Sequence, residues 1–346
     1  MDQTTKLNIS KTKVFFRADA NSQIGWGHIV RSMALADMLI EDKNSVFECV
    51  FLVQNPSLVL QNQIKEKFEL IILQESTNFL EEAHFITKSY LQDNSIIVLD
   101  HYQIQTDYQR IIKQNSNSKI VCIDDMHDWH FVADVVINHA GGLKKTDYSC
   151  EPYTKLCLGA EYALLRKPFL ETAKQKREIN KIENAFICFG GSDIYNLTKT
   201  AIDSCLNVDK LKQINVVLGS ASLFYQEILE LCKQNDKIIL HQNLSAQQMC
   251  KLMKQSDIAI APASSISYEI LSTGLIWLGG YYVDNQLSIY RGFENNLTID
   301  LQDLKIDLEN KIINGFDKLF LLSSFATAKA IDGYSSKRLL ELFKNL

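Results

Sequence analysis

A chain of 346 residues is long for a single hydrophobic core and comfortable for two. With 46% hydrophobic and 22% charged residues it has an ordinary globular composition, and 4 prolines with 14 glycines leave little material for long disordered linkers. The net charge of −5, without any dense Lys/Arg run, argues against a nucleic-acid partner.

Eight cysteines are scattered without a CxxC spacing. Several fall inside apolar runs, such as Cys122 in IVCID and Cys188 in AFICF, which reads as buried thiols in a reducing compartment. The opening MDQTTKLNISKTK is polar and has no signal-like core. No run approaches the roughly 20 apolar residues of a membrane span. A cytoplasmic protein without a membrane partner, monomeric or weakly oligomeric, is expected.

In chain order, short apolar runs alternate with helix-length amphipathic segments. Val14–Arg17, Cys49–Val53, Glu69–Leu73, Ser95–Leu99, Lys119–Ile123 and the shorter Asp134–Ile137 read as strands. After a charged stretch near 171–183 the pattern restarts with Ala185–Phe189, Asn215–Leu218, Lys237–Leu240, Asp257–Ala261 and Leu275–Gly279. This predicts an α/β protein of two doubly wound, Rossmann-like domains facing a cleft, residues 1–168 and 169–346. The last amphipathic segment, Tyr334–Leu346, is a candidate to pack back on the first domain. Ligands of such sheets bind beyond the carboxyl ends of the strands, so the residues just after each strand carry the information.

The strongest signal is FFRADANSQIGWGHIVRSMALADML. The first strand ends at Arg17, and a polar loop leads through Gly25 and Gly27 to His28. A helix then begins with Ile29, Met33, Ala36 and Ile40 on one stripe. The two glycines permit close approach of the backbone to a ligand. A helix N-terminus carries partial positive charge, and Arg31 one turn on acts with the same sign. His28 is therefore expected to be uncharged and able to accept a proton from water. Asp19 shares this rim. The plainer alternative is a histidine bonded inside a tight turn.

VLDHYQI sets Asp100, His101 and Tyr102 after a buried strand. Asp100 is a candidate to orient an imidazole or bind a sugar hydroxyl, and Tyr102 to donate a hydrogen bond to the sugar or the leaving oxygen; a strand-end cap is the alternative.

In the second half, FICFGGSDIYNLT places Gly190, Gly191, Ser192 and Asp193 between a strand and a helix, where backbone N–H groups suit a pyrophosphate. The Gly-Lys-Ser/Thr ending of a P-loop is missing, and Ser192 or Asp193 as a simple N-cap is the alternative. IAIAPASSISYEILSTGL repeats the arrangement, with Ser264 and Ser265 opening a helix and Glu269 one turn deeper. Hydroxyls and N–H groups there suit phosphate, and the carboxylate suits two ribose hydroxyls. Asn285 and Gln286 follow another strand in WLGGYYVDNQL. Arg166, near the domain crossover, suits phosphate or a surface ion pair.

RADANSQIGWGHIVRSMALA, IIVLDHYQI, CIDD, LGAEYALLRKPF, FICFGGSDIYNL and the DNQ segment occur in this order between Val14 and about Asn296. Together they resemble the UDP-2,4-diacetamido-2,4,6-trideoxy-β-L-altropyranose hydrolases of pseudaminic acid biosynthesis, which look like the two-domain, MurG-like B-type glycosyltransferases. The resemblance implies a UDP-linked diacetamido trideoxy sugar as substrate, UDP as product and no cofactor. It also implies His28 as general base, Tyr102 in the active site, Glu269 on the ribose, and Asn285 with Gln286 facing the cleft. Tyr268 departs from a relative that has asparagine at this point, which leaves its role open.

The run Asp124-Asp125-Met126-His127-Asp128-Trp129-His130 has metal-ligand residue types, but it follows a strand where polar caps are common. No Asp-x-Asp pair appears, so metal-independent chemistry is expected. Hydrolysis at C1 with inversion is the reading preferred. A glycosyltransferase, a hydrolysing UDP-sugar 2-epimerase and a non-catalytic nucleotide-sugar binding protein stand as alternatives.

Overall fold

A computed structural model describes residues 11–20, 26–42, 45–190, 193–219, 222–322 and 330–346. They fall into two compact units: the described parts of Met1–Asn138, Lys145–Cys157 and Ser336–Leu346, and those of His139–Lys144 and Leu158–Ser335.

The first unit is built on β1 (Thr12–Ala18), β2 (Phe47–Gln54), β3 (Glu69–Leu73), β4 (Ile96–Asp100), β5 (Lys119–Ile123), β6 (His130–Phe131), β7 (Val135–Asn138), β8 (Ser149–Cys150) and β9 (Lys155–Leu158). Seven of these form one sheet, in the order β3-β2-β1-β4-β5-β7-β9, while β6 and β8 pair separately. The ladders from β3 to β7 are parallel. Helices α1 (Gly27–Ile40), α2 (Leu58–Lys65), α3 (Phe79–Ser89) and α4 (Thr106–Asn115) supply the crossovers. The central strands are buried nearly throughout, which is why VFFRA and IIVLD read as unbroken runs rather than alternations. α1 turns further than the stripe expected for it: Ile29, Ser32, Leu35, Ala36 and Leu39 are buried, whereas Met33 and Ile40 are only half-buried. A polar serine on the buried side, needed by the site below, hides the true face from a hydrophobicity count.

The second unit contains α5 (Lys167–Ala173), β10 (Asn184–Ile187), α6 (Leu197–Leu206), β11 (Gln213–Val217), α7 (Tyr225–Gln234), β12 (Ile238–His241), α8 (Ala246–Gln255), β13 (Ile258–Pro262), α9 (Ser265–Thr273), β14 (Ile276–Tyr281), α10 (Leu287–Phe293), β15 (Ile299–Asp303) and α11 (Leu308–Phe320). Its six strands run in the order β12-β11-β10-β13-β14-β15, all parallel. Ile187, Ile214, Val216, Ile258, Ile260 and Leu278 pack against Ala201, Ile202 and Phe316 in one core. α8 starts with a Ser245–Gln248 capping box, and Gly274 ends α9 in the left-handed region at φ 65°. Arg177 donates to the carbonyls of Met253 and Ser256 at the end of α8 and of Thr273 at the end of α9. A cation there answers the partial negative charge of two helix C-termini. Gly141 and Gly292 meet backbone to backbone: a Cβ on Gly141 would lie 2.3 Å from the Gly292 carbonyl oxygen.

The chain's last helix, α12 (Ser335–Lys344), lies in the first unit apart from its opening residue. Phe343 on it meets Phe47 of β2 edge to face, with ring centroids 6.2 Å apart. Among the described residues no helix is long and apolar enough to cross a membrane.

Candidate active site

In the first unit the strand order reverses between β1 and β4: the chain steps outward through β2 and β3, then restarts on the other side. The parallel register sets Ala18 opposite Asp100, so β1 and β4 end at the same point, where doubly wound sheets hold ligands. His28, in the first turn of α1, and Asp100, the last residue of β4, are both buried, at 4% and 0% exposure.

Their side chains meet, with His28 Nδ1 2.6 Å from Asp100 Oδ1. Arg31, one turn along α1, donates from Nε to Asp100 Oδ2 at 2.8 Å and from Nη2 to Oδ1 at 2.5 Å. Ser32 adds a bond to Oδ2 at 3.2 Å. Burial raises the cost of ionising Asp100, but the Arg31 guanidinium and His28 outweigh it and hold the carboxyl well below the usual range. Nδ1 has two neighbours of opposite kind, the donor Arg31 Nη2 at 3.0 Å and the acceptor Asp100 Oδ1 at 2.6 Å; the shorter contact, to an ionised carboxylate that only accepts hydrogen bonds, sets the proton of a neutral imidazole on Nδ1 and the lone pair on Nε2. A carboxylate that holds the ring in this way leaves Nε2 able to accept a proton.

Arg31 continues the network. Its Nη1 donates to Asp125 Oδ2 at 2.9 Å, and Tyr102 donates its hydroxyl to the same oxygen at 3.2 Å. The Tyr102 ring lies edge-on to the His28 imidazole, centroids 4.5 Å apart and planes at 83°. Burial, with Asp125 beside it, pushes the Tyr102 hydroxyl above its ordinary range, so it keeps its proton. His28, Arg31, Asp100 and Tyr102, all named from the sequence, are thus brought together. Asp125 and Ser32 were missed; the strand-end rule applied to β5 points at Asp125 once the metal question is put aside. Its neighbour Asp124 is buried and accepts from the Tyr148 hydroxyl at 2.9 Å and from the Met126 and His127 N–H groups.

Asp19 belongs to an adjoining cluster. It pairs with Arg17 at 2.7 Å and accepts the Gln54 N–H at 2.8 Å, and His101 Nε2 stands 3.5 Å away. Arg17 is fully buried and forms a two-point bond with Glu82, which also accepts from Tyr108 and Gln54. Burial opposes the charge on Glu82, yet Arg17 holds its carboxyl below the normal range. Every Asp19 oxygen therefore faces protein groups. Neither Arg17 nor Glu82 was expected, because a polar group inside an apolar strand looks like noise until its partner, 65 residues on, is known.

In the second unit the reversal falls between β10 and β13. Gly190 follows β10 at φ +88° and is exposed. Asp193 turns its carboxylate onto α6, accepting the N–H groups of Leu197 at 2.9 Å and Thr198 at 2.8 Å. That is the helix-capping alternative weighed for it. Gly25, Gly191 and Ser192 lie outside the described residues; Gly27 is half-buried as the first residue of α1.

After β13, Ser264 and Ser265 open α9, partly buried and exposed respectively, with the Ser264 N–H donated to Ser267 Oγ at 2.9 Å. Glu269, one turn in, is joined to Arg166: Nε and Nη2 both donate to Oε1, at 3.1 and 2.5 Å. Burial pushes the Glu269 carboxyl up and Arg166 pulls against it. Gln286 is buried and accepts the Tyr282 N–H at 2.9 Å, while Asn285 is exposed. Tyr268, whose role the sequence left open, lies tilted against His139, ring centroids 4.0 Å apart, and meets Phe293 edge-on at 5.0 Å, a packing role for the ring.

Two tandem, parallel, doubly wound α/β units are the architecture of the B-type glycosyltransferase fold. MurG of Acinetobacter baumannii superimposes with TM-score 0.62 at 12% identity, covering 97% of this chain and all of that one. The UDP complex of Staphylococcus aureus MnaA gives 0.59 at 11% identity, over 96% of each chain. In sequence the relation is more particular. The UDP-2,4-diacetamido-2,4,6-trideoxy-beta-L-altropyranose hydrolase of Campylobacter jejuni is 30% identical over 283 residues, 80% of this chain and 94% of that protein, and the chain belongs to its family. The spore coat polysaccharide biosynthesis protein SpsG of Bacillus subtilis is 23% identical over 290 residues, 82% of each. No protein-family model matches the chain.

Proposed function

We propose that the protein hydrolyses a UDP-linked 2,4-diacetamido-2,4,6-trideoxy sugar between its anomeric carbon and the diphosphate oxygen, with inversion and without a cofactor. Family membership supports the substrate class, since the Campylobacter relative bears it in its name. The observation that carries the chemistry is the 2.6 Å contact of His28 Nδ1 with a carboxylate that Arg31 keeps ionised.

Water gives a proton to His28 Nε2 as its oxygen bonds to C1. The electrons of the breaking C1–O bond leave with UDP, which needs no proton to depart. Asp100 stabilises the imidazolium so formed and fixes the ring. In the second unit the opening turn of α9 with Ser264 and Ser265, the Gly190 turn and Arg166 would neutralise the diphosphate. Glu269 Oε2 would accept from the ribose, and Asn285 and Gln286 would border the same site.

The test is turnover of this UDP-sugar in ¹⁸O-water with no acceptor present. The expected result is UDP plus free sugar, with label on C1 of the sugar and the opposite anomer first by NMR. Label in UDP overturns attack at carbon. Deuterium uptake at C2 from D₂O identifies an epimerase instead. UDP-sugar that is bound but never cleaved identifies a binding protein.

A further inference from the structure

The hydroxyl of Tyr102 has one proton, and Asp125 holds it. Asp125 cannot turn away easily, because the same Oδ2 also takes the Arg31 Nη1 hydrogen at 2.9 Å, and Arg31 is anchored on Asp100 through two further bonds. A phenol whose hydrogen is committed offers its surroundings only lone pairs. Its ring packs edge-on against His28, and its oxygen is joined to the same cluster through Asp125 and Arg31, so it belongs to the site of the group proposed to deliver water to C1. The neighbours of C1 in a pyranose are the ring oxygen, which can only accept, and C2, whose substituent is the nearest group able to donate. In an acylamino sugar that donor is an amide N–H.

We infer that Asp125 is a positioning residue that fixes Tyr102 as a hydrogen-bond acceptor, and that Tyr102 thereby selects substrates carrying an N–H on the substituent at C2. This rests on the proposed binding of an acylamino UDP-sugar at the His28 site. It reverses the direction expected from the sequence: Tyr102 accepts from the sugar and does not donate to the leaving oxygen. An ester in place of the amide keeps the shape and the carbonyl but loses the donor and sets an oxygen against the phenol lone pairs. Sites that hydrogen-bond a substrate N–H reject the analogue that lacks it, because their own polar group is left unpaired.

The experiment compares the 2-acetamido UDP-sugar with its 2-O-acetyl counterpart, in kcat/KM and, independently of turnover, in Kd for the His28→Ala variant. The wild type should favour the amide by about tenfold or more, and the ratio should fall to near one with Tyr102→Phe. Asp125→Ala releases the phenol proton, so Tyr102 can donate to the ester and the ratio should narrow. Asp125→Asn keeps an acceptor oxygen for Tyr102 and should restore it. General damage to the fold lowers both substrates together and leaves the ratio unmoved. A ratio that survives Tyr102→Phe, in turnover or in binding, overturns the inference. Absence of wild-type hydrolysis with the binding ratio intact overturns the hydrolase reading alone.

Discussion

The two strand-end clusters solve different problems with the same residue types. In the first unit, charged groups are bound to one another almost to saturation: Asp100 takes bonds from His28, Arg31 and Ser32, and Asp19 and Glu82 are equally occupied. Few valences remain, and on the proposed reading His28 Nε2 is the one that meets water. In the second unit the part-buried Arg166–Glu269 pair at α9 engages Oε1 of Glu269, and among the described residues no hydrogen bond to Oε2 is seen. A reacting group has to be held in one orientation, whereas a site that captures and releases a nucleotide has to keep unspoken-for acceptors and donors.

That contrast is open to breaking. His28→Ala should lower kcat by about 10²–10⁴-fold while leaving UDP affinity intact; single-turnover kinetics and calorimetry read the two separately. A loss of UDP affinity alongside kcat would erase the division between the clusters. Asp100→Asn should cost about 10²-fold in kcat, since the imidazole loses its orienting anion. It should also lose ~3–5 kcal/mol of stability by denaturant titration, because Arg31 is left with a neutral partner in a buried place. The equivalent change in the second unit, Glu269→Gln, should leave kcat nearly untouched and weaken UDP binding by about tenfold, a charged acceptor being exchanged for a neutral one.

Acid should sharpen the difference further. Asp100 and Glu82 have carboxyls depressed by Arg31 and Arg17, so each contributes stability above its unfolded value, near pH 4, that disappears as pH falls through the lower folded value. Glu269 is raised by burial, so it destabilises above about pH 4 and protonation relieves it. Below about pH 4, hydrogen exchange should therefore open the first unit before the second. In the same way, Arg166→Ala removes the cation that opposes burial, and UDP affinity should begin to fall at a higher pH than in the wild type. An unchanged pH profile would mean that Arg166 does not govern the charge of Glu269.

Much of this was legible in the residues. A doubly wound parallel fold follows from apolar runs separated by helix-length segments, and the rule that function sits after the strands picks out His28, Asp100, Tyr102, Ser264 and Glu269 without knowledge of any contact. What stayed hidden depends on partners distant in the chain. Arg166 and Glu269 were each noticed, but nothing local says that residues 103 apart are bonded. β15, whose sequence IDLQD alternates with acidic residues at the sheet edge, lacks the apolar run that betrays a central strand. Asp125 was passed over because an acidic, histidine-bearing loop suggests a metal before it suggests a brace for a tyrosine.

The assignment of α12 to the first unit has a consequence for synthesis. A ribosome making this chain delivers β1 to β9 early, then nearly all of the second unit, and only afterwards the segment from Ser336 that brings Phe343 to Phe47. The nascent first unit must wait, with that patch uncovered, while its neighbour is translated and folds. Expression of residues 1–157 alone should therefore give a fragment prone to aggregate, and supplying the terminal helix on a linker is the way to make it tractable.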